Sequence, residues 1–407
     1  MRWSRINNNS TPKGFLFSGI SAGLKDSGKK DLALILAPVK SICSGLFTKS
    51  VTRASCIDIC QQRLDESSGQ ARAILINSGH ANACTGERGM EDVILATKAL
   101  SDLLEIEVNK ILICSTGVIG VPIPIDNLLT NLPVLVSKLE EKNLNDAAEA
   151  ILTTDLVAKQ IVIEIIIEGK PIKIAGFAKG SGMIYPNMAT MLAFLVCDVG
   201  IDKPTWDTLI KDAVESSFNA ISVDGETSTN DSFLAINSGD PISKEYIPII
   251  SEGIRYVCEY LAKSIARDGE GANCLLEVIV KGVANKSDAI RIGRSIVNSS
   301  LVKTAIHGCD PNWGRILAAA GNAGIPFDFK NVDLFIGEHV ILQKGKLINF
   351  NKDLIKHYME LKMNLNKYSL DNTLQITLDI NNGFEEGKAW GCDFSKKYIE
   401  INSEYTT

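Results

Sequence analysis

The stretch KGSGMIYPNMATMLAFLVCDV, residues 179–199, decides how the centre of the chain folds. It opens with a glycine loop at residues 179–182, and glycine gives a backbone the conformational freedom that other residues lack. Pro186 and Asn187 then predict a turn. From residue 191 to residue 197 every side chain is apolar or a thiol, which predicts a fully buried strand. Thr190 therefore stands at the junction of loop and strand, with its hydroxyl held by a rigid element and approachable from the loop side.

Thr190 has two interpretations on the residues alone. Threonine is common in strands, and at the start of a strand its hydroxyl usually satisfies a backbone group. The alternative is a nucleophile, because a rigid strand holds a reactive group more accurately than a loop does. Taken alone, the stretch favours the first interpretation.

Length and composition limit the possible classes of protein. The 407 residues suffice for two or three domains or halves with a sizeable core. A net charge of −6 indicates no basic surface for nucleic acid. The first residues lack the apolar core of a signal peptide, and the longest uncharged stretch, residues 184–197, is too short to span a membrane. We therefore expect a cytoplasmic protein with no nucleic-acid partner and no membrane partner.

The ten cysteines and four histidines predict neither a disulfide framework nor a metal site. Only Cys56 and Cys60 are close in sequence, and no second pair complements them for zinc. In a large chain without a secretion signal, reduced thiols are expected. The expected metal content is none.

The pattern of elements predicts a layered α/β or α+β protein, since helices and strands alternate without a regular period. One strand is expected at residues 71–76, ending in a turn at residues 77–79. Another is expected at residues 110–114, leading into Ser115-Thr116-Gly117. A single helix is expected over residues 288–305, and a strand over residues 397–402.

Several blocks of the sequence together resemble one family. KGSGMIYPNMATML is the longest, and the others are KDLALILA near the start, NACTGERG around Cys84, CSTGVIG at Cys114, TTD at Thr153, TSTND at Thr227 and HGCDPNWGRILAA at His307. In the order in which they occur along the chain, these blocks are similar to those of the ornithine acetyltransferase (glutamate N-acetyltransferase) family of arginine biosynthesis. One residue departs from the family pattern: His80 stands where asparagine is expected, and we interpret it as a turn residue that makes one hydrogen bond.

The resemblance implies a fold and a processing event. The fold would be similar to that of N-terminal nucleophile enzymes, with two sheets packed between helical layers. The chain would cut itself between Ala189 and Thr190, giving an alpha chain of residues 1–189 and a beta chain of residues 190–407. Two alpha and two beta chains would form a heterotetramer.

The resemblance also implies roles for named residues. Thr190 would carry the acetyl group, with Thr116 and Gly117 as donors to the oxyanion. The substrate would contact Thr153, Lys179, Glu270, Asn402 and Thr407. On the residues alone, Lys179 and Glu270 also fit surface charges beside a glycine turn, and Ser115-Thr116-Gly117 also fits an ordinary end of a strand.

The implied reaction moves an acetyl group from N-acetylornithine to glutamate in a ping-pong sequence without a cofactor, and some members of the family also accept acetyl-CoA. Two rival functions stay open at this stage. A self-processing aminopeptidase or amidase of similar architecture would use the same threonine but release its acyl group to water. In a non-enzymatic metabolite- or nucleotide-binding protein, Thr190 would be inert.

Overall fold

A computed structural model describes residues 3–185, 191–364, 369–370 and 372–404. The strands, in chain order, are β1 Ser4–Ile6, β2 Leu16–Ile20, β3 Leu32–Leu36, β4 Ile42–Phe47, β5 Ala73–His80, β6 Ile111–Val118, β7 Lys159–Ile167, β8 Lys170–Lys179, β9 Leu192–Cys197, β10 Ser232–Asn237, β11 Leu275–Val283, β12 Asp333–Ile336, β13 His339–Gln343, β14 Lys346–Leu347, β15 Thr373–Asp379 and β16 Glu385–Cys392. The helices are α1 Ser55–Glu66, α2 Gly86–Leu104, α3 Ile125–Ser137, α4 Leu144–Ala150, α5 Lys203–Glu215, α6 Ile247–Arg267, α7 Lys286–Asn298, α8 Ser300–His307, α9 Trp313–Gly321, α10 Lys352–Asn364 and α11 Lys396–Glu404.

A six-stranded sheet in the order β1-β7-β8-β9-β10-β4 forms the centre of the molecule. Strand β9 pairs antiparallel with β8 and parallel with β10. The register places Lys179 opposite Leu192 and Leu192 opposite Ser232. The end of β8 and the starts of β9 and β10 therefore meet at one edge of the sheet, and the loops that continue from this edge are close together.

A four-stranded sheet, β2-β3-β5-β6, lies on one side of the central sheet. One core cluster joins it to α1–α4 and to one face of the central sheet. Phe17 of β2 and Phe177 of β8 meet edge to face in this cluster, with ring centroids 6.4 Å apart. The other face of the central sheet packs against α5 and α6 in a second cluster.

A second six-stranded sheet, β14-β13-β12-β15-β11-β16, has its own core against α7, α8, α9 and α10. The layered α/β class predicted from the sequence is confirmed. The resemblance implied two sheets, whereas the described residues form three, because residues 275–392 build a sheet of their own.

The structure corrects three local predictions. Residues 77–79 are not a turn, because the parallel pairing with β6 continues and Ser115 Oγ donates to Asn77 Oδ1 at 2.6 Å. The single helix expected over residues 288–305 is interrupted at Ser299, whose extended backbone and side-chain oxygen cap α8. The strand expected over residues 397–402 is a helix, α11.

The wrong prediction for α11 has a physical reason. Its apolar and β-branched residues favour a strand, but strand propensity depends strongly on what a segment can pair and pack with. Here the ring of Tyr398 packs on Phe394, with centroids 4.6 Å apart, and Asn402 Nδ2 donates to the Tyr398 carbonyl one turn earlier.

None of the helices in the described residues combines the length and apolar character that crossing a membrane takes.

Candidate active site

The structure brings six of the residues singled out in the sequence into one pocket at the shared edge of the central sheet. They come from separate parts of the chain: Thr116 and Gly117 from β6, Thr153 from the segment after α4, Lys179 from the end of β8, Glu270 from the segment after α6, and Asn402 from α11. Ala189, Thr190 and Thr407 lie outside the described residues, as does the turn expected at Pro186 and Asn187. Met191, which follows Thr190 in the sequence, also lines the pocket.

Gly117 occupies a position that only glycine fits. Its φ is +131°, and a Cβ there would lie 2.2 Å from the Gly79 carbonyl carbon and 2.5 Å from the His80 nitrogen. The parallel neighbour β5 therefore approaches β6 closely at this point. Thr116, one residue earlier, is buried and reaches the same pocket. The end of β6 thus offers the pocket a hydroxyl beside a backbone of unusual conformation.

Asn230, which lies two residues before β10, fixes this end of β6. Its Nδ2 donates to the Ser115 carbonyl at 2.9 Å and to the Ala81 carbonyl, while Thr229 Oγ1 donates to its Oδ1 at 2.6 Å. A buried amide with all these bonds links β5, β6 and β10 rigidly. The TSTND block carries part of the resemblance, but its sequence alone indicates no role for Asn230. Ser228, Thr229, Asn230 and Asp231 all line the pocket.

Lys179 places an ammonium group in the pocket wall. The residue is 8% exposed, and within the described residues its ammonium forms no hydrogen bond or ion pair. Burial lowers the pKa of Lys179 below the ordinary value, and the negative charge of Asp155 opposes that change. An ammonium group held in this way is suited to bind an anionic group of a ligand.

Glu270 lies across the pocket with its carboxylate against Gly182. A Cβ on Gly182 would lie 2.5 Å from that carboxylate, so a larger residue would displace it. Asn402 Nδ2 donates to Glu270 Oε2 at 2.9 Å, and the Glu270 backbone N–H donates to the Ser181 carbonyl at 3.0 Å. The Glu270 carboxylate therefore packs against the glycine loop, and Asn402 of α11 orients it.

A buried group of three charged residues lies behind the glycine loop. Lys159 Nζ donates to Asp155 Oδ1 at 2.7 Å and to Asp268 Oδ2 at 2.6 Å, and the three side chains are 1%, 0% and 2% exposed. Burial disfavours their charged forms, yet the attraction to Lys159 holds the pKa of Asp155 well below its usual range and the pKa of Lys159 is raised. Asp268 differs: burial raises its pKa despite Lys159, and the charge of Asp155 adds to the effect.

The segment just before the undescribed residues is anchored by one carboxylate. Asp224 Oδ2 accepts the Met183 N–H at 2.6 Å, and its Oδ1 accepts the Ile184 N–H at 2.8 Å. The Arg294 guanidinium lies 4.5 Å from the centroid of the Tyr185 ring. On the far side of the undescribed residues, the Met191 carbonyl accepts the Ser232 N–H at 2.9 Å. Both ends of the segment that contains Ala189 and Thr190 are therefore fixed.

His80 is not the turn residue that we expected. It ends β5, and its ring Nδ1 is buried without a hydrogen-bond partner among the described residues. Burial lowers the pKa of His80, so the ring favours its neutral form. The residue does not line the pocket.

The pocket presents a hydroxyl and a glycine backbone, a cation and an anion within one enclosure. This combination suits a small zwitterionic ligand that also carries a carbonyl group.

In the part of the chain that the structure describes, no group of three histidine, cysteine, aspartate or glutamate side chains has the arrangement to hold a metal ion. All ten cysteines are free thiols, and most are buried.

These features define a mixed α/β protein with a polar small-molecule site at one edge of its central sheet. The model of the ArgJ family matches residues 16–407. The arginine biosynthesis bifunctional protein ArgJ of Prochlorococcus marinus subsp. pastoris is 64% identical over 396 residues, which are 97% of this chain and 98% of that protein. ArgJ 1 of Nostoc sp. is 45% identical over 412 residues, 100% of this chain and 99% of that protein. The chain therefore belongs to the ArgJ family, and it is an acyltransferase of arginine biosynthesis.

Two solved structures are also similar. One is the arginine biosynthesis bifunctional protein ArgJ of Bacillus halodurans, 35% identical, covering 53% of this chain and 100% of that chain with a TM-score of 0.48. The other is ornithine acetyltransferase from Mycobacterium tuberculosis complexed with ornithine, 33% identical, covering 46% of this chain and 100% of that chain with a TM-score of 0.43.

Proposed function

We propose that the chain cuts itself between Ala189 and Thr190 and then uses Thr190 to move an acetyl group from N-acetylornithine to glutamate. The observation that carries this proposal is the pocket itself. Six residues from distant parts of the sequence, each expected to act on the oxyanion or the substrate, line one enclosure together with the residue that follows Thr190.

In the first half of the reaction, the Thr190 hydroxyl attacks the acetyl carbonyl carbon of N-acetylornithine. The hydroxyl proton passes to the free α-amine that cleavage gives Thr190, whose unperturbed pKa is about 7.7–8.0. The carbon–nitrogen bond then breaks, the proton moves to the departing amine, and ornithine leaves behind an acetyl ester on Thr190. In the second half, the neutral α-amine of glutamate attacks this ester, and Thr190 regains its proton as N-acetylglutamate departs.

The residues that the structure describes have the other roles in the reaction. The Thr116 hydroxyl and the Gly117 N–H donate to the oxyanion of each tetrahedral intermediate. Lys179 binds the α-carboxylate that both amino acids share, and Thr153 donates a hydrogen bond to the ligand. Glu270, oriented by Asn402, pairs with the side-chain ammonium of ornithine. Thr407 completes the substrate-binding set. Because ornithine and glutamate share the α-amino and α-carboxylate groups, one pocket serves both in turn.

The test supplies N-acetylornithine and glutamate without coenzyme A. We expect N-acetylglutamate to form, and we expect enzyme treated with N-acetylornithine alone to carry an acetyl group on the fragment that begins at Thr190. Thr190→Ala should stay a single chain and transfer nothing. Release of acetate without N-acetylglutamate would instead favour the aminopeptidase or amidase, and an intact chain without either product would favour the binding protein.

A second activity, synthesis of N-acetylglutamate from acetyl-CoA and glutamate, is supported by the name "bifunctional" that the relatives carry. If both donors acetylate Thr190, they must compete, because one hydroxyl carries one acetyl group at a time. Turnover of acetyl-CoA that N-acetylornithine does not inhibit would contradict a shared nucleophile.

For the assembly we propose a cytoplasmic heterotetramer of two alpha and two beta chains. Within one alpha–beta unit, β9 and β10 pair with β8 and β4 across the central sheet, so both chains share one set of hydrogen bonds. We expect the two fragments to remain together in native gel filtration and to separate only in denaturant, and light scattering gives the mass of the assembly.

A further inference from the structure

Asp155 connects two walls of the pocket, and neither the resemblance nor the reaction gives it a role. Its Oδ1 accepts the Gly180 N–H at 2.7 Å, directly after Lys179. Its Oδ2 accepts the Thr153 N–H at 3.1 Å and lies 3.5 Å from Thr153 Oγ1. One fully buried carboxylate therefore holds both the segment after α4 and the start of the glycine loop.

The charges behind the loop do not cancel among themselves. Asp155 and Asp268 carry two negative charges and share the single positive charge of Lys159. The group of three therefore has a net charge of one negative unit, in a region where burial makes an uncompensated charge costly. Lys179 is a cation on which this charge acts, and Asp155 is the anion with the greatest influence on its pKa.

The other charged groups that face Lys179 come from each element around it. Lys159 at the start of β7 disfavours its charge, while Glu270 after α6 and Asp231 before β10 favour it. Lys25, in the loop before β3, is a further cation nearby, and burial lowers its pKa to about 8. Glu270 is also assigned to the ligand, whereas Asp155, the anion with the greatest influence on the pKa of Lys179, has no such assignment.

We propose that Asp155 is the positioning residue of this site: its carboxylate fixes Thr153 and Gly180 relative to each other and supplies the counter-charge for Lys179. The inference rests on the proposed function, in which Lys179 binds the α-carboxylate of the substrate. Asp155 itself does not touch the substrate. Asp155 acts by keeping Lys179 protonated at a buried position that would otherwise favour the neutral amine.

The test is the KM for N-acetylornithine of Asp155→Asn relative to the native enzyme, measured from below neutrality to just under pH 10.5, the ordinary pKa of lysine. Asparagine keeps an oxygen that can accept from Gly180 and Lys159, but its NH2 group replaces the oxygen that accepts the Thr153 N–H, so a change in KM that is the same at every pH is expected beside the effect of the lost charge. Without that charge the ammonium of Lys179 loses its proton at a lower pH. The ratio of the two KM values should therefore be flat in the acidic range and then rise, by about tenfold for each unit by which the pKa of Lys179 falls. The titration of the substrate is common to both enzymes and cancels in the ratio.

Two further variants isolate the charge of Asp155. Asp268→Asn removes the other carboxylate that Lys159 holds but keeps the carboxylate with the greatest influence on the pKa of Lys179, so its KM ratio should rise with pH less than that of Asp155→Asn. Lys179→Arg replaces the ammonium by a guanidinium that stays charged throughout this range. Adding Asp155→Asn to Lys179→Arg should therefore leave the pH dependence of KM unchanged.

A KM ratio for Asp155→Asn that stays flat with pH, while Lys179→Met raises KM, would overturn the inference and leave the proposed function intact. A Lys179→Met enzyme with native KM would instead contradict the role of Lys179 in the proposed function. Should Asp155→Asn not fold, Asp155→Glu decides, since it keeps the charge and moves the carboxylate by one methylene. Its KM should change by the same factor at every pH, and a ratio that rises with pH would contradict the counter-charge.

Discussion

Lys159→Met should destabilise the protein far more than the loss of an ordinary ion pair. The methionine fills a similar volume but leaves Asp155 and Asp268 buried side by side without their cation, and the three side chains are at most 2% exposed. Removing one partner of a buried pair typically costs about 3–5 kcal/mol. That is a large share of the roughly 5–15 kcal/mol by which most proteins are stable.

A matched control is available on the surface. Lys98 pairs with Asp102 four residues away, as Lys159 does with Asp155, but both side chains are more than half exposed. Exposed pairs contribute about 0–1 kcal/mol, so Lys98→Met should change little. The assay is urea unfolding, with every chain carrying Thr190→Ala so that self-cleavage does not split it. The midpoint and slope then give the free energy of unfolding.

Acid provides a second check on the cause. The folded-state pKa of Asp155 is depressed, so its ion pair contributes stability above the ordinary carboxyl pKa of 3.8, and this contribution is lost as pH falls below that value. The difference between native enzyme and Lys159→Met should therefore shrink in acid. Replacing both carboxylates by asparagine in the Lys159→Met chain should also recover stability, because it removes the unpaired charges. A Lys159→Met protein no less stable than Lys98→Met would refute the argument.

Three further outcomes are expected at the pocket. Thr116→Ala should fold normally and lower acetyl transfer by about 10²–10³, the usual loss for one oxyanion donor, whereas the exposed Thr52→Ala should keep full activity in the same assay. Asp224→Asn weakens the clamp on Met183 and Ile184, so gel analysis after synthesis should show slower self-cleavage, and cleavage at the native rate would show that the clamp is dispensable. Thr190→Ser keeps the hydroxyl but loses the methyl group that restricts its rotamers, so cleavage should persist with reduced transfer; an enzyme with neither activity would show that the methyl group is essential.

The sequence predicted strand β9 of the central sheet because this strand is apolar on both faces. Residues 191–197 have no polar side chain, and the strand found there, Leu192–Cys197, is buried at every position. Asp202 and Pro204 are typical residues for the start of a helix, and in the structure Asp202 caps α5 by accepting the Thr205 N–H. Such local signals survive because the surrounding protein agrees with them.

Other features depended on partners that the sequence does not identify. The strand β5 runs on through Asn77 because β6 lies beside it, and α11 forms despite its β-branched residues. The buried group around Lys159 was missed because Asp268 lies 109 residues after Lys159 in the sequence, although Asp155 is only four residues before it. The one local signal for it was the aspartate that ends the TTD block. At the pocket, the family blocks indicated which residues matter, but only the fold shows that Asn230 holds β6 to β10.

The topology is also compatible with the proposed cleavage, after which the site would require residues from both fragments. Thr116, Gly117, Thr153 and Lys179 precede the proposed cleavage point, whereas Glu270 and Asn402 follow it. The two groups are held together by ladders that do not pass through the peptide bond between Ala189 and Thr190: β8 pairs with β9, and β4 pairs with β10. All residues of β9 and β10 are buried, so their separation from the other strands would expose the core of the molecule. In the proposed function, cleavage would therefore leave the two groups of residues assembled, and it would supply the free α-amine that a threonine acting as its own base needs.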